Sequence, residues 1–139
     1  GAVGGLMVFL ERINVGSGRR WDEIVGYSGV VRVGPFVYVR GTTSTDETGA
    51  VVGSGDPQAQ ARQTLTNIDW ALEQVGARRE HVVRTRIFVK HISDWEKIGR
   101  VHKEWFGEIR PATTMVEVSQ FINSNMLVEI EVDAVVNDA

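Results

Sequence analysis

The sequence has no cysteine. That excludes disulfides, thiolate metal sites and cysteine nucleophiles, and it fits a cytoplasmic protein. It also lacks any apolar run near the ~20 residues needed to span a bilayer. Its most apolar stretches, Val37-Tyr38-Val39 and Ile87-Phe88-Val89, are closed off by Arg40 and Lys90. Positive charge is not in surplus either: 15 basic against 18 acidic side chains leave a net charge of −3. A phosphate-binding surface needs a basic stripe, whereas Arg19-Arg20 and Arg78-Arg79 are isolated pairs that read as solvated loop charges. No nucleic-acid partner and no membrane partner are therefore expected. The opening Gly1 to Leu6 has no basic stretch of the kind that starts a signal peptide, and reads as a flexible start or an addition ahead of a native Met7.

Motifs for several chemistries are missing too. His81, His91 and His102 have no acidic or cysteine partners at metal-ligand spacing, so no metal site is expected. Ser17, Ser28 and Ser44 stand outside any Gly-x-Ser-x-Gly elbow. The glycine-rich run from Gly49 to Gly55 has no lysine and reads as a surface loop, not a phosphate cradle.

What is present is one domain's worth of chain, with 42% hydrophobic residues to build a core. Residues 1–23 are taken as a flexible N-terminal segment with room for a first strand, and 24–139 as a single domain. Asp56-Pro57 offers a cap and a first-turn proline. Ala61, Leu65, Ile68, Leu72 and Val75 then fall on one helical stripe, closed by Gly76. A second helix is predicted from Ser93-Asp94-Trp95-Glu96, with capping-box spacing between Ser93 and Glu96. Its apolar face runs through Trp95, Ile98, Val101, Trp105 and Phe106, and Gly107 closes it.

The remaining segments read as strands. Val30 to Val33 and Phe36 to Arg40 flank Gly34-Pro35 as a hairpin. Val82 to Lys90 alternates Val83, Thr85, Ile87 and Val89 against Arg84, Arg86, Phe88 and Lys90. Thr114 to Val118 and Leu127 to Val136 form a last pair, with Val128, Ile130, Val132, Ala134 and Val136 opposite Glu129, Glu131 and Asp133. The β-β-α-β-α-β-β order predicts an α+β fold, a mixed sheet with both helices on one face. The other face, carrying Phe36, Tyr38, Phe88 and Met115, is apolar enough to suggest contact between copies.

Five stretches, in order and spacing, resemble the Rid (reactive intermediate deaminase, or YjgF) family: Val33 to Gly41, Gln60 to Ile68, His81 to Val89, Trp105 to Ala112, and Val116-Glu117-Val118 followed by Val128 to Val132. The resemblance implies a chorismate-mutase-like fold, assembled as a homotrimer with small-molecule clefts between subunits. Members hydrolyse enamines and imines such as 2-aminoacrylate to a keto acid and ammonia, without cofactor or metal. In the family an arginine after a Pro-Ala step clamps the substrate carboxylate, a glutamate of the last strand positions water, and a tyrosine and a serine complete the pocket.

Carried over by position, the glutamate matches Glu129 and the tyrosine Tyr27. The arginine's place holds Thr113, and the serine's place holds Arg40. Threonine gives one neutral hydrogen bond and cannot replace a charged bidentate clamp. The expectation is therefore a hydrolase of an imine, enamine or related C–N metabolite, but not the usual 2-imino acid deaminase. Glu129 would be catalytic, and Tyr27, Arg40 and Thr113 would bind substrate, with Arg40 supplying from another wall the charge lost at Thr113. A metabolite-binding or sensing trimer without catalysis is the alternative. A ribonuclease or translation inhibitor, activities attached to some relatives, comes after both because no basic stripe is present.

Overall fold

A computed structural model describes residues 10–138; Gly1 to Leu6 lie outside them. The chain forms β1 (Arg12–Val15), β2 (Val30–Val33), β3 (Phe36–Thr42), α1 (Pro57–Glu73), β4 (Val82–Val89), α2 (Trp95–Phe106), β5 (Ala112–Glu117) and β6 (Val128–Val135). The strands make one six-stranded sheet in the order β1-β2-β3-β6-β4-β5, and the helices pack on one of its faces.

Gly34, at φ 57°, turns the chain between β2 and β3, where Val33 pairs with Phe36. Only a residue without Cβ takes that conformation freely. Helix α1 starts where expected: the Asp56 carboxylate accepts from the N–H groups of Gln58 and Ala59, both at 3.1 Å. Its stripe of Ala61, Leu65, Ile68 and Leu72 is fully buried. Gly76, at φ 75°, closes it, and the Ala77 N–H reaches back to the Leu72 carbonyl at 2.9 Å.

Helix α2 departs from expectation at both ends. A short 3₁₀ turn over Ile92–Asp94 takes Ser93 out of the cap position, so no capping box forms. Glu96 instead accepts from Arg100 one turn on, at 2.6 Å. Gly107 is right-handed; it is needed because a Cβ there would lie 2.7 Å from the Lys103 carbonyl. Trp95, placed on the apolar face by its spacing, is 58% exposed, while Ile98, Val101 and Phe106 are buried.

The last two strands do not pair with each other. β5 runs parallel beside β4, from Arg84↔Ala112 to Val89↔Glu117, as a β-α-β crossover through α2 allows. β6 inserts antiparallel between β3 and β4. Its inward residues explain the place: Val128, Ile130 and Val132 are each 0% exposed, which only a central strand under a helix provides.

Two side-chain assignments change with the registers. Met115 pairs with buried Ile87 and packs on the helix side, not on the open face. An irregularity between Val82 and Arg84 turns Val83 outward and buries Val82 in its stead.

Candidate functional site

The site is built around Glu129. Because inward Val128 and Ile130 flank it, Glu129 points to the open face of β6. Diagonally across from it, β3 carries a bulge: Val39 pairs with Val132 and Thr42 with Ile130, so Arg40 and Gly41 together face Glu131 of β6. The bulge brings Gly41 under the carboxylate. A Cβ on Gly41 would lie 2.8 Å from Glu129 Oε2, closer than atoms pack. The glycine is thus what lets the carboxylate lie down on β3.

Glu129 is half-buried, and burial raises its pKa above the ordinary carboxylate value; nearby Arg40 opposes the rise and Glu131 adds to it. The Arg40 guanidinium lies 5.7 Å from the centre of the Tyr27 ring. Its one recorded hydrogen bond among the described residues is long, 3.4 Å to the Gly41 carbonyl. By contrast, Arg86 on the same face is engaged by Glu131 and Asp133, at 3.4 and 3.3 Å. Arg40 is therefore a cation with donors to spare. Trp21, Tyr27, Arg40, Gly41, Ile122 and Glu129 share one cavity of about 670 Å³.

Thr113 stands elsewhere. It lies on the outer strand β5, separated from β3 by β6 and β4. Its hydroxyl donates to the Pro111 carbonyl at 3.1 Å and is 2.8 Å from the Thr85 hydroxyl, which in turn meets His102 Nε2 at 2.9 Å. Burial lowers the pKa of His102. Within one chain, then, Glu129, Arg40 and Tyr27 come together and Thr113 does not join them.

In each arginine pair one member, Arg19 or Arg79, is not the solvated charge expected, while Arg20 and Arg78 are exposed. Arg19 is half-buried and clamps the loop after β3, donating to Thr45 Oγ1 (3.0 Å), the Thr45 carbonyl (3.3 Å) and the Ser17 carbonyl (3.0 Å). Asn67 of α1 holds the same loop through the Thr43 and Thr45 carbonyls, both at 2.9 Å. Arg79 meets Asp69 at 2.7 Å and lies over Trp105, while Arg78 meets Glu80 and Asp138. His81 is buried, accepts the Arg78 N–H and bonds Asp138. Arg19 lines the Glu129 cavity, and Asn67 holds Thr43 and Thr45 of its wall from behind. Asn67 lay inside a stretch the resemblance marked; Arg19 had no sequence signal, since its main partner is 26 residues away.

Among the described residues, no group of three His, Asp or Glu side chains is placed to hold a metal, and no helix is long and apolar enough to cross a membrane.

Residues 18–136 match the family model described as Endoribonuclease L-PSP. A solved structure from Mycobacterium tuberculosis, described as a member of the YjgF/YER057c/UK114 family, is 48% identical with a TM-score of 0.83, covering 91% of this chain and 100% of that one. The 3-aminoacrylate deaminase of Acinetobacter baylyi is 36% identical over 68% of this chain and 75% of its own. A 2-iminobutanoate/2-iminopropanoate deaminase of Dermatophagoides farinae is 33% identical over 76% and 81%.

Proposed function

This chain belongs to the Rid/YjgF family, and from that premise we propose that it is a cytoplasmic, homotrimeric hydrolase of an imine, enamine or related C–N metabolite, distinct in substrate from the usual 2-imino acid deaminases. One observation carries the reading: a half-buried carboxyl with a raised pKa shares a cavity with a guanidinium that the protein leaves almost unbonded. Relatives named as deaminases of aminoacrylate and iminobutanoate support the reaction class.

The chemistry needs water alone. The water oxygen bonds to the imine carbon while Glu129 takes a water proton, and a proton passes to the nitrogen. The C–N bond of the resulting carbinolamine then breaks, so imine and water leave as a carbonyl compound and ammonia. A carboxyl whose pKa is raised above the ordinary glutamate value by burial is better suited to taking and returning the proton than an exposed one. Arg40 holds an anionic group of the substrate, and Tyr27 closes the wall beside it.

An amino-acid oxidase that releases imines from a panel of amino acids provides the test. Added protein is expected to speed imine hydrolysis for at least one of them. Glu129→Gln should cut the turnover by about 10²-fold, the usual weight of a general acid–base group, and Arg40→Ala should raise KM. No acceleration across the panel by a folded protein would overturn the reading.

Binding without turnover is the second reading. It is favoured by Thr113, which stands where the family resemblance implies a carboxylate clamp and spends its hydroxyl on Pro111 and Thr85. The ribonuclease reading has the net charge of −3 against it.

A further inference from the structure

Arg40 borders a second hollow. A cavity of about 730 Å³ lies between α1 and the loop that follows β3, lined by Gln63, Thr66 and Trp70 of the helix and by Asp46 and Glu47 of the loop. Gly18, Arg19, Arg40 and Thr45 line it as well as the Glu129 cavity, so these four form the partition between the two.

Its walls offer three kinds of recognition. The first is Arg40, which borders this cavity; its guanidinium rests toward Tyr27 and Gly41 on the other side, held by a single long bond, and so has donors free to turn to a carboxylate here. The second is a pair of carboxylates. Asp46 Oδ1 is taken by the Thr48 N–H, the Thr48 hydroxyl and the Ala50 N–H at 2.9, 2.6 and 3.0 Å, while Oδ2 has no bond among the described residues. Those bonds, the Thr48 hydroxyl's foremost, keep Asp46 ionised to lower pH than an ordinary aspartate. Glu47 beside it is exposed. The third is Trp70, whose indole is 48% exposed and whose ring nitrogen makes no bond among the described residues. A large aromatic left half in water on a cavity wall is a surface for an apolar group. Arg19, the other cation here, spends its donors on Ser17 and Thr45.

We propose that this cavity binds a small zwitterion with an apolar body, of which a free α-amino acid is the simplest, with its carboxylate on Arg40, its ammonium on Asp46 and Glu47, and its side chain against Trp70. The site is separate from the Glu129 cavity and does not rest on the hydrolase reading. Because Arg40 borders both, an occupant here draws the guanidinium away from the other cavity, and by linkage an anion in either weakens binding in the other.

Calorimetric titration of the whole chain tests this with three probes of one shape: L-leucine, leucinamide (no carboxylate) and 4-methylpentanoate (no ammonium). L-Leucine is expected to bind, and each singly charged analogue to bind about tenfold or more weakly, for the loss of one charge-assisted contact. Thr66→Trp fills this cavity from an exposed helix position and should abolish binding with the circular dichroism unchanged. Ile122→Ala, in the Glu129 cavity alone, should leave it intact. The fluorescence response to L-leucine should vanish in Trp70→Phe. Binding that survives Thr66→Trp, equal binding of the three probes, or no heat from any of them at about 10 mM, where millimolar affinities register, would overturn the proposal.

Discussion

Glu129 is held where charging it is unfavourable, and that has a consequence for stability. Its pKa is raised in the folded chain chiefly by burial, with Arg40 of β3 opposing and Glu131 of β6 adding to the shift. Between the ordinary glutamate value and the raised one, the folded state binds more protons than the unfolded state. Stability therefore falls as pH rises through that window, and the deficit stays constant above it. Glu129→Gln removes the titrating group. The difference in urea midpoint between the variant and the wild type should be smallest at acid pH, grow in the variant's favour across the window, and then level off. A difference that does not change with pH would mean that Glu129 titrates alike in both states. At this scale the sequence was partly legible. Glu129 could be placed on the outward side of its strand because Val128, Ile130 and Val132 alternate with it. Arg40 drew notice by standing in a serine's place. The role of Gly41 was not legible, because a bulge that opposes two residues to one leaves no mark in a period-two pattern. Nor was the Arg19 clamp, whose partners depend on where two loops meet.

Helix α1 is an element whose polar residues carry as much of the fold as its apolar stripe. Gln60 is 0% exposed, yet all its amide atoms are used: Nε2 donates to the Gly53 and Asn125 carbonyls at 3.2 and 2.9 Å, and Oε1 accepts from the Leu127 N–H at 2.8 Å. It therefore ties the loop before α1 to the loop before β6, next to the wall of the Glu129 cavity formed by Ile122 and Met126. Gln60→Leu would leave the Asn125 carbonyl and the Leu127 N–H without partners, at ~1–3 kcal/mol for each that water does not reach, while the Gly53 carbonyl keeps the Asp56 N–H. A loss of about 2–5 kcal/mol in unfolding free energy is expected by urea titration, and a change within about 0.5 kcal/mol would show that the loops find other partners. The helices themselves were readable because cap, stripe and stop are local. The strand order was not. β6 comes last in the chain and sits in the middle of the sheet, and nothing near it in sequence says which strands it separates.

The open face of the sheet is a property of the whole molecule. Phe36 and Tyr38 are 44% and 49% exposed, and Val116 is 42% exposed. Beside them Arg84, Arg86, Glu131 and Asp133 form a network of ion pairs, each half in water and each worth little by itself. An apolar surface with a charged rim is the kind that another copy covers, and three copies related head to tail close a ring without leaving such a face open. The wild type is accordingly expected to scatter light as a trimer, and the double variant Phe36→Asp/Tyr38→Glu as a monomer with unchanged circular dichroism, since both side chains are exposed. A monomeric wild type would end this account. The monomeric variant also separates two accounts of the site. Glu129, Arg40 and Tyr27 already share a cavity within one chain, so if they suffice, ligand affinity and turnover persist without the trimer. If the cavity borrows a wall from a neighbour, both are lost although every one of the three residues is still in place, and the β5 edge that carries Thr113 is then the part of the neighbour to substitute next.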